Sequence, residues 1–143
     1  MIDEKILEKF KTRLRKKGQK VTLQRIAIFE EMVEDRGHRE SEEIYIAIKS
    51  RNMHVSRATV YRTLDILVQN NFVRKLNLGD GRARYESKID SHHHDHMICN
   101  CCGQIIEYVD YEIEKLQEIV TKKYDFILKS HIHQLFGICK ECQ

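Results

Sequence analysis

Two short motifs in the second half of the chain carry side chains that bind metal ions. Each is a Cys-x-x-Cys pair, Cys99 with Cys102 and Cys139 with Cys142. Two such pairs can bring four thiolates onto one tetrahedral ion, and soft sulfur ligands favour zinc. Gly103 follows the first pair, and a residue without Cβ accepts the tight turn that points backbone amides at sulfur. The alternatives are unligated buried cysteines or a redox pair, but two matched pairs favour a zinc site.

A histidine-rich run, HHHDHMIC, occupies residues 92–99 and includes the first of these cysteines. On an extended backbone alternate residues face opposite sides, so His94 and His96 would face one way and His93 and Asp95 the other. One segment could therefore serve two sites, with ligands that suit Fe(II), Mn(II), Co(II), Ni(II) or Zn(II). The competing interpretation is a solvated histidine tract. Other candidate ligands elsewhere in the chain favour metal binding: Glu86, Glu107, Glu114 and His131.

The composition is that of a globular protein, with 41% hydrophobic and 33% charged residues among 143. No apolar run approaches the roughly 18 residues of a membrane helix, and the N-terminus lacks a signal-peptide stretch. We therefore predict a cytoplasmic protein with no membrane partner. In a reducing compartment, five cysteines indicate metal ligation or reactive thiols rather than disulfides. The fifth, Cys101, could compete as a ligand, but we favour an adventitious thiol because the Cys-x-x-Cys spacing needs Cys102.

Charge is divided unevenly along the chain. Residues 1–80 hold 17 Lys and Arg against 12 Asp and Glu, whereas residues 81–143 hold 8 against 10. The basic half could face nucleic-acid phosphates. Since the cysteines and six of the eight histidines lie in the other half, the two halves are predicted to have different tasks.

The first half reads as four helices followed by a hairpin. The first helix would end at Gly18, and Thr22, Ser41 and Ser56 would cap the next three. The fourth, Arg57–Gln69, has an apolar stripe and a polar face with Arg57, Tyr61, Arg62 and Asp65. Residues 72–78, 79–81 and 82–86 read as strand, turn and strand. This order predicts a winged helix; a plain helical domain with a solvated basic face fits the pattern equally well.

The second half reads as a small α+β unit. Strands are predicted over residues 97–98, 105–108 and 126–136, with a helix around Ile113, Leu116 and Val120. Along the last predicted strand, His131 and His133 share a face. We place the boundary between the halves at residues 87–91.

Several segments together resemble the ferric uptake regulator (Fur) family of bacterial repressors over nearly the whole chain. They are KVTLQR (20–25), SEEIY (41–45), ATVYR (58–62), RYE (84–86), HHHDHMIC (92–99) and both Cys-x-x-Cys pairs. The resemblance implies an α+β fold with an N-terminal winged-helix DNA-binding domain (residues 1–86), a hinge (87–91) and a small α/β metal-binding dimerisation domain (92–143). It also implies a metal-responsive repressor, not an enzyme, that binds a palindromic operator as a homodimer.

The resemblance assigns three metal sites. Structural zinc would be held by Cys99, Cys102, Cys139 and Cys142. The regulatory metal would be held by His38, Glu86, His94, His96 and Glu107. An additional site would consist of His93, Asp95, Glu114 and His131.

The resemblance also places the fourth helix in the major groove of double-stranded DNA. Tyr61 and Arg62 would reach bases, and Lys20 would approach the backbone or minor groove. Arg57 and Thr59 complete the predicted DNA-binding set, Thr59 being small enough to let the helix sit close. An arginine can pair with guanine in a bidentate way, and a tyrosine ring can meet a thymine methyl.

The glutamates at positions 86 and 107 resemble the iron-responsive branch of the family, so we predict Fe(II) as regulatory metal, with Mn(II) or Zn(II) able to bind in vitro. A peroxide-sensing repressor that acts by iron-catalysed oxidation of a ligand histidine, such as His38 or His94, is the alternative that the resemblance leaves open. Remoter alternatives are a zinc metalloenzyme and a metal store. Against a metalloenzyme, the sequence contains neither an HExxH motif nor a nucleophile with a paired base, so no small organic substrate is predicted.

Overall fold

The computed structural model describes residues 2–89 and 92–143. Two compact units divide the chain, Met1–Ser91 and His92–Gln143, called here the first unit and the second unit. The predicted hinge, residues 87–91, includes residues 90 and 91, which lie outside the described residues. None of the described helices is long and apolar enough to cross a membrane.

Over its described residues, 2–89, the first unit has four helices and a two-stranded antiparallel hairpin. Their bounds are α1 Glu4–Lys16, α2 Leu23–Glu34, α3 Ser41–Ser50, α4 Arg57–Gln69, β1 Val73–Asn77 and β2 Ala83–Ser87. Thr22 and Ser56 cap α2 and α4 through their side-chain oxygens, as predicted. Gly79 and Gly81 both have φ of +79°, which suits the turn between the strands. The arrangement is the predicted winged helix.

A phenylalanine cluster forms the centre of the first unit. Phe10 stacks on Phe29 with ring centroids 4.2 Å apart, and Phe72 meets both rings edge-on. The apolar stripe of α4, consisting of Val60, Leu64 and Leu67, is completely buried. Burying such a side chain stabilises the fold by about 1.5–3 kcal/mol. The core therefore fixes which face of α4 remains available to a ligand.

The third helix begins differently from the prediction. Ser41 is its first residue rather than its cap, and Glu40 occupies the cap position. The Glu40 backbone N–H donates to Glu43 Oε2 at 2.7 Å. The carboxylate three residues inside the helix thus satisfies the exposed amide, which moves the cap one residue toward the N-terminus.

The second unit contains a three-stranded sheet and one helix. Its elements are β3 Asp95–Cys99, β4 Ile105–Tyr108, α5 Tyr111–Lys123 and β5 Gln134–Gly137, followed by a short 3-10 turn, Lys140–Cys142. The strand order is β4-β3-β5, with β3 antiparallel to β4 and parallel to β5. The prediction of an α+β fold is confirmed.

The strand predicted over residues 126–136 was too long. Only Gln134–Gly137 forms β5, because its ladder partner β3 is itself only five residues long. The preceding segment instead follows the end of α5, where the Phe126 N–H donates to the Thr121 carbonyl at 3.0 Å. Apolar alternation therefore extended beyond the residues that have a strand to pair with.

Candidate metal centres

Four cysteines converge at one edge of the second unit. The sulfurs of Cys99, Cys102, Cys139 and Cys142 all lie within 4.8 Å of one another. Cys99 ends β3, and Cys139 follows β5 by two residues. Because β5 runs parallel to β3, the C-terminal ends of both strands lie at the same end of the sheet. The cysteines at or just after these strand ends therefore lie close together. Four sulfurs at this spacing suit a tetrahedral zinc ion.

Backbone geometry at this cluster favours thiolate at one sulfur in particular. Gly103 has φ of +75° and donates its N–H to the Cys99 carbonyl at 2.9 Å, so the predicted tight turn is present. The Cys139 N–H donates to Cys99 Sγ at 3.3 Å. Hydrogen bonds from the backbone N–H groups of Cys102 and Cys139 lower the pKa of Cys99 to about 6.

The opposite shift affects the last cysteine of the cluster. Hydrogen bonds with the Cys101 thiol, and then with the Cys139 thiol, raise the pKa of Cys142. Crowded thiolates repel one another, and a bound dication would remove that repulsion. The donor set therefore fits a zinc ion both by ligand type and by charge.

A second cluster joins β3 to α5. Ligand atoms of His93, Asp95, Glu114 and His131 lie within 4.8 Å of one another. Glu114 Oε1 is 3.0 Å from His93 Nε2 and 3.4 Å from His131 Nε2. Glu114 lies in the first turn of α5, which Asp110 caps by accepting from the N–H groups of Glu112 and Ile113. The cap thereby fixes the start of the helix that carries this ligand.

The predicted regulatory ligands form two sets, one in each unit. In the first unit, His38 Nε2 lies 3.2 Å from Glu86 Oε2, and Glu86 is buried in β2 opposite Arg74. The adjacent bridge between Arg39 and Tyr85 holds the segment carrying His38 against β2, with N···O distances of 3.1 and 2.7 Å.

In the second unit, the His94 and His96 rings lie 5.0 Å apart and meet edge-on. Glu107 on β4 is opposite His96 in the antiparallel register, and its Oε1 is 3.7 Å from His94 Nε2. Each set combines imidazole and carboxylate donors, which is the composition that suits Fe(II) or Mn(II).

The predicted DNA-binding residues lie at the surface of the first unit. Tyr61 is 50% exposed, and Arg62 and Lys20 are also exposed. Thr59 belongs to the N-terminal cap of α4, since its hydroxyl lies 2.9 Å from Ser56 Oγ. Tyr61 and Arg62 remain open to a partner on the face of α4 that the core leaves uncovered.

Arg57 has contacts that the sequence did not indicate. Its guanidinium makes two hydrogen bonds with Glu42, at 2.8 and 2.6 Å, and lies 4.3 Å from the Tyr45 ring centroid. Glu42 and Tyr45 are on α3, fifteen and twelve residues away in sequence. Helical periodicity relates neighbours within one helix, so no local pattern could have revealed this pairing.

The chain is similar to known proteins of one family over nearly its whole length. A sequence model of the ferric uptake regulator family matches residues 16–136. The ferric uptake regulation protein of Campylobacter upsaliensis is 40% identical over 139 residues, covering 96% of this chain and 88% of that protein. The peroxide-responsive repressor PerR of Staphylococcus epidermidis is 31% identical over 137 residues, covering 96% and 91% respectively.

A solved structure is similar as well. The Helicobacter pylori ferric uptake regulator superposes with a TM-score of 0.86 at 39% identity, covering 97% of this chain and 92% of that one. That regulator has three functional metal-binding sites.

Proposed function

Because the chain belongs to the ferric uptake regulator family of metal-responsive repressors, we propose that it binds a palindromic operator as a homodimer when Fe(II) occupies its regulatory site. The observation that carries this proposal is the division of the regulatory donors: His38 and Glu86 in the DNA-binding unit, and His94, His96 and Glu107 in the other. DNA being its target, we propose a cytoplasmic location.

The division of donors supplies a physical basis for switching. Ligands from both units can be satisfied together only in a restricted set of arrangements of the two units. A divalent ion contributes Lewis-acid coordination that favours those arrangements, and its differential affinity is the only energy available for the shift. Each tenfold gain in DNA affinity requires about 1.4 kcal/mol of that coupling. The apo protein should therefore fold but bind operator weakly.

The cysteine cluster is proposed as the structural zinc site. Cys99, Cys102, Cys139 and Cys142 would hold the ion and thereby join the end of the chain to the edge of β3. Zinc bound in this way contributes folding free energy directly. We propose the cluster of His93, Asp95, Glu114 and His131 as the additional site. With the regulatory set, this makes three sites, the number found in the Helicobacter pylori regulator.

For DNA recognition, we propose that Tyr61 and Arg62 contact bases and that Lys20 contacts the backbone or minor groove. Their exposure on the uncovered face of α4 and before α2 supports this assignment. Arg57 and Thr59 would contribute at the helix N-terminus, where backbone N–H groups also favour phosphate. Arg57 can reach DNA only by leaving Glu42 or by sharing its donors with it.

The homodimer proposal rests on apolar surface in the second unit. Most of the exposed large hydrophobic side chains among the described residues lie there. Three of them, Met97, Ile106 and Leu135, are directly paired in the strand register and therefore share one face of the sheet. Contiguous apolar surface of this kind is typical of an interface between subunits. A two-fold dimer presents two copies of α4, which matches a palindromic operator.

The decisive experiment is an anaerobic titration of the purified protein with Fe(II), Mn(II) and Zn(II). DNA binding is read by fluorescence anisotropy on an A/T-rich palindromic duplex and on a scrambled duplex of equal length. Specific binding that requires a divalent ion supports the proposal, and metal-independent binding contradicts it. The variant carrying Tyr61→Ala and Arg62→Ala should retain wild-type metal content but lose specific binding; if it binds normally, α4 is not the recognition helix.

Peroxide sensing is a second candidate, favoured by the similarity to PerR. Its test is the same titration repeated with hydrogen peroxide after Fe(II) loading. Irreversible loss of DNA binding with Fe(II) but not Mn(II), together with a 16 Da mass increase on His38 or His94, would favour this function. Binding that survives peroxide favours iron sensing.

A further inference from the structure

Three polar residues form a row across the sheet of the second unit, beside the proposed additional metal site. Asp95 on β3 is directly opposite Tyr108 on β4. On the other side of β3, His96 pairs with Gln134, so the parallel register continued by one residue places His133 beside Asp95. The His96 N–H also faces the His133 carbonyl at 3.4 Å. Directly opposed residues in a sheet share a face, so the three side chains are neighbours.

The two outer members of this row close over the middle one. Tyr108 Oη lies 2.9 Å from His133 Nδ1, and the two rings meet at 72° with centroids 6.0 Å apart. The same His133 Nδ1 is 3.7 Å from Asp95 Oδ2, within electrostatic reach although longer than a hydrogen bond. If the His133 ring is protonated at Nδ1, its N–H faces both Tyr108 Oη and Asp95 Oδ2.

The two oxygens of the Asp95 carboxylate therefore have different neighbours. Oδ1 faces the histidines of the proposed site, 3.4 Å from His131 Nε2 and 3.8 Å from His93 Nε2, whereas Oδ2 faces His133. The Asp95 side chain is only 5% exposed. A buried carboxylate is costly unless partners satisfy it, so the groups facing Oδ2 determine how Asp95 is oriented.

We propose that His133 and Tyr108 are positioning residues of the additional metal site: His133 faces Oδ2 of Asp95 so that Oδ1 is directed toward the ion, and Tyr108 holds the His133 ring in place. Neither residue belongs to the four-ligand cluster. Partners behind a metal-binding carboxylate fix its orientation, and their loss typically lowers metal affinity 10- to 100-fold. This inference rests on the proposal that His93, Asp95, Glu114 and His131 bind a metal.

The test is a Co(II) titration of the full-length zinc-loaded protein, followed by visible absorption. His131→Ala identifies which Co(II) binding event belongs to the additional site, because it removes a ligand of that site. Sulfur-to-cobalt charge-transfer absorption reports any entry of Co(II) into the cysteine cluster. If His131→Ala removes no event, the additional site itself is wrong, whatever the other variants do.

For the Co(II) binding event that His131→Ala removes, His133→Leu and Tyr108→Phe should each raise the Kd by about 10- to 100-fold. The double variant should be less than additive, since the two residues act through one carboxylate. His133→Asn, which keeps a polar atom near the position of Nδ1, should recover much of the affinity. An unchanged Kd in both single variants overturns the inference.

Matched controls separate positioning from general destabilisation. His54→Leu and Tyr124→Phe remove the same chemical groups from exposed positions outside the row, and they should leave the Kd unchanged. Zinc content and apo melting temperature are measured for every variant. A rise in Kd that occurs only together with zinc loss would show that the row supports the sheet rather than the site, which also overturns the inference.

Discussion

The two units are stabilised by different means. The first unit has a continuous apolar core around Phe10, Phe29 and Phe72, into which α4 inserts a completely buried stripe. In the second unit, no residue of α5 is buried, although the structure describes all of them. Its buried residues within β3 include Asp95, His96 and Cys99, which are candidate ligands. Hydrophobic burial thus accounts for the stability of the first unit. The second unit instead has clusters of candidate metal ligands and an apolar surface suited to a partner, either of which can add to its stability.

If the proposed function holds, this difference would let one chain combine a DNA-binding unit that folds without metal with a second unit that responds to metal. The apolar core of the first unit fixes α4 relative to that core without any metal ligand. When metal binding and subunit association contribute to the stability of a unit, loss of either one lowers that stability. Four variants test the contrast, beginning with the largest expected effect.

Removing one zinc ligand should separate the stabilities of the two units. Cys139→Ser is expected to release zinc and to turn the dimer into monomer or aggregate, because structural zinc supplies about 10–16 kcal/mol of apparent binding free energy in small domains. Metal analysis and sedimentation velocity measure both effects. Hydrogen exchange should show protection retained in α1 to α4. Cys101→Ser is the matched control and should keep zinc and dimer, whereas a zinc-loaded dimer of Cys139→Ser would contradict the assignment.

The reverse perturbation is Phe29→Ala in the first unit. Phe29 is completely buried and contacts two other rings, so the free energy of unfolding of this unit should fall by about 3–5 kcal/mol. Urea unfolding followed by hydrogen exchange measures the loss. Zinc content should remain at the wild-type level. Zinc release by this variant would mean that the second unit depends on the core of the first.

A regulatory ligand should affect the response without affecting either fold. His94→Ala is expected to keep zinc and dimer but to lower the metal-induced gain in operator affinity at least about tenfold, equivalent to about 1.4 kcal/mol. Anisotropy titration with Fe(II) or Mn(II) measures this gain. His92→Ala removes an exposed neighbour in the same run and should respond normally. A full response from His94→Ala would remove that histidine from the regulatory site.

The smallest effect is expected at the surface pair of the first unit. Glu42→Gln removes the carboxylate that occupies Arg57, so the arginine becomes available to phosphate. Operator affinity should rise modestly, and the slope of log K against log salt should steepen by up to about 0.9 for one added phosphate contact. Glu112→Gln makes the same charge change in the second unit and should leave the slope unchanged. Equal slopes in both variants would mean that Glu42 does not keep Arg57 from a phosphate contact.

Much of the fold followed from local patterns. The apolar stripe of α4 and the caps Thr22 and Ser56 depend on residues within one or two helical turns of each other. The hairpin at residues 73–87 joins two strands that are adjacent in sequence. The two errors have different causes. The strand predicted over residues 126–136 was shortened by the length of β3, a partner distant in sequence. The start of α3 depends instead on a local signal, the Glu43 carboxylate three residues after Glu40, which the prediction of Ser41 as the cap overlooked.

By itself, the sequence determined which chemistry is available: two Cys-x-x-Cys pairs, a histidine-rich run at residues 92–99 and a basic first half. These are properties of spacing and composition, which hold before the chain folds. Only the tertiary structure decided which donors meet. The parallel pairing of β3 with β5 brings the two Cys-x-x-Cys pairs together and sets His133 beside Asp95, and the packing of α3 on α4 places Glu42 against Arg57. Such pairings depend on strand order and helix packing between distant segments, which local periodicity does not encode.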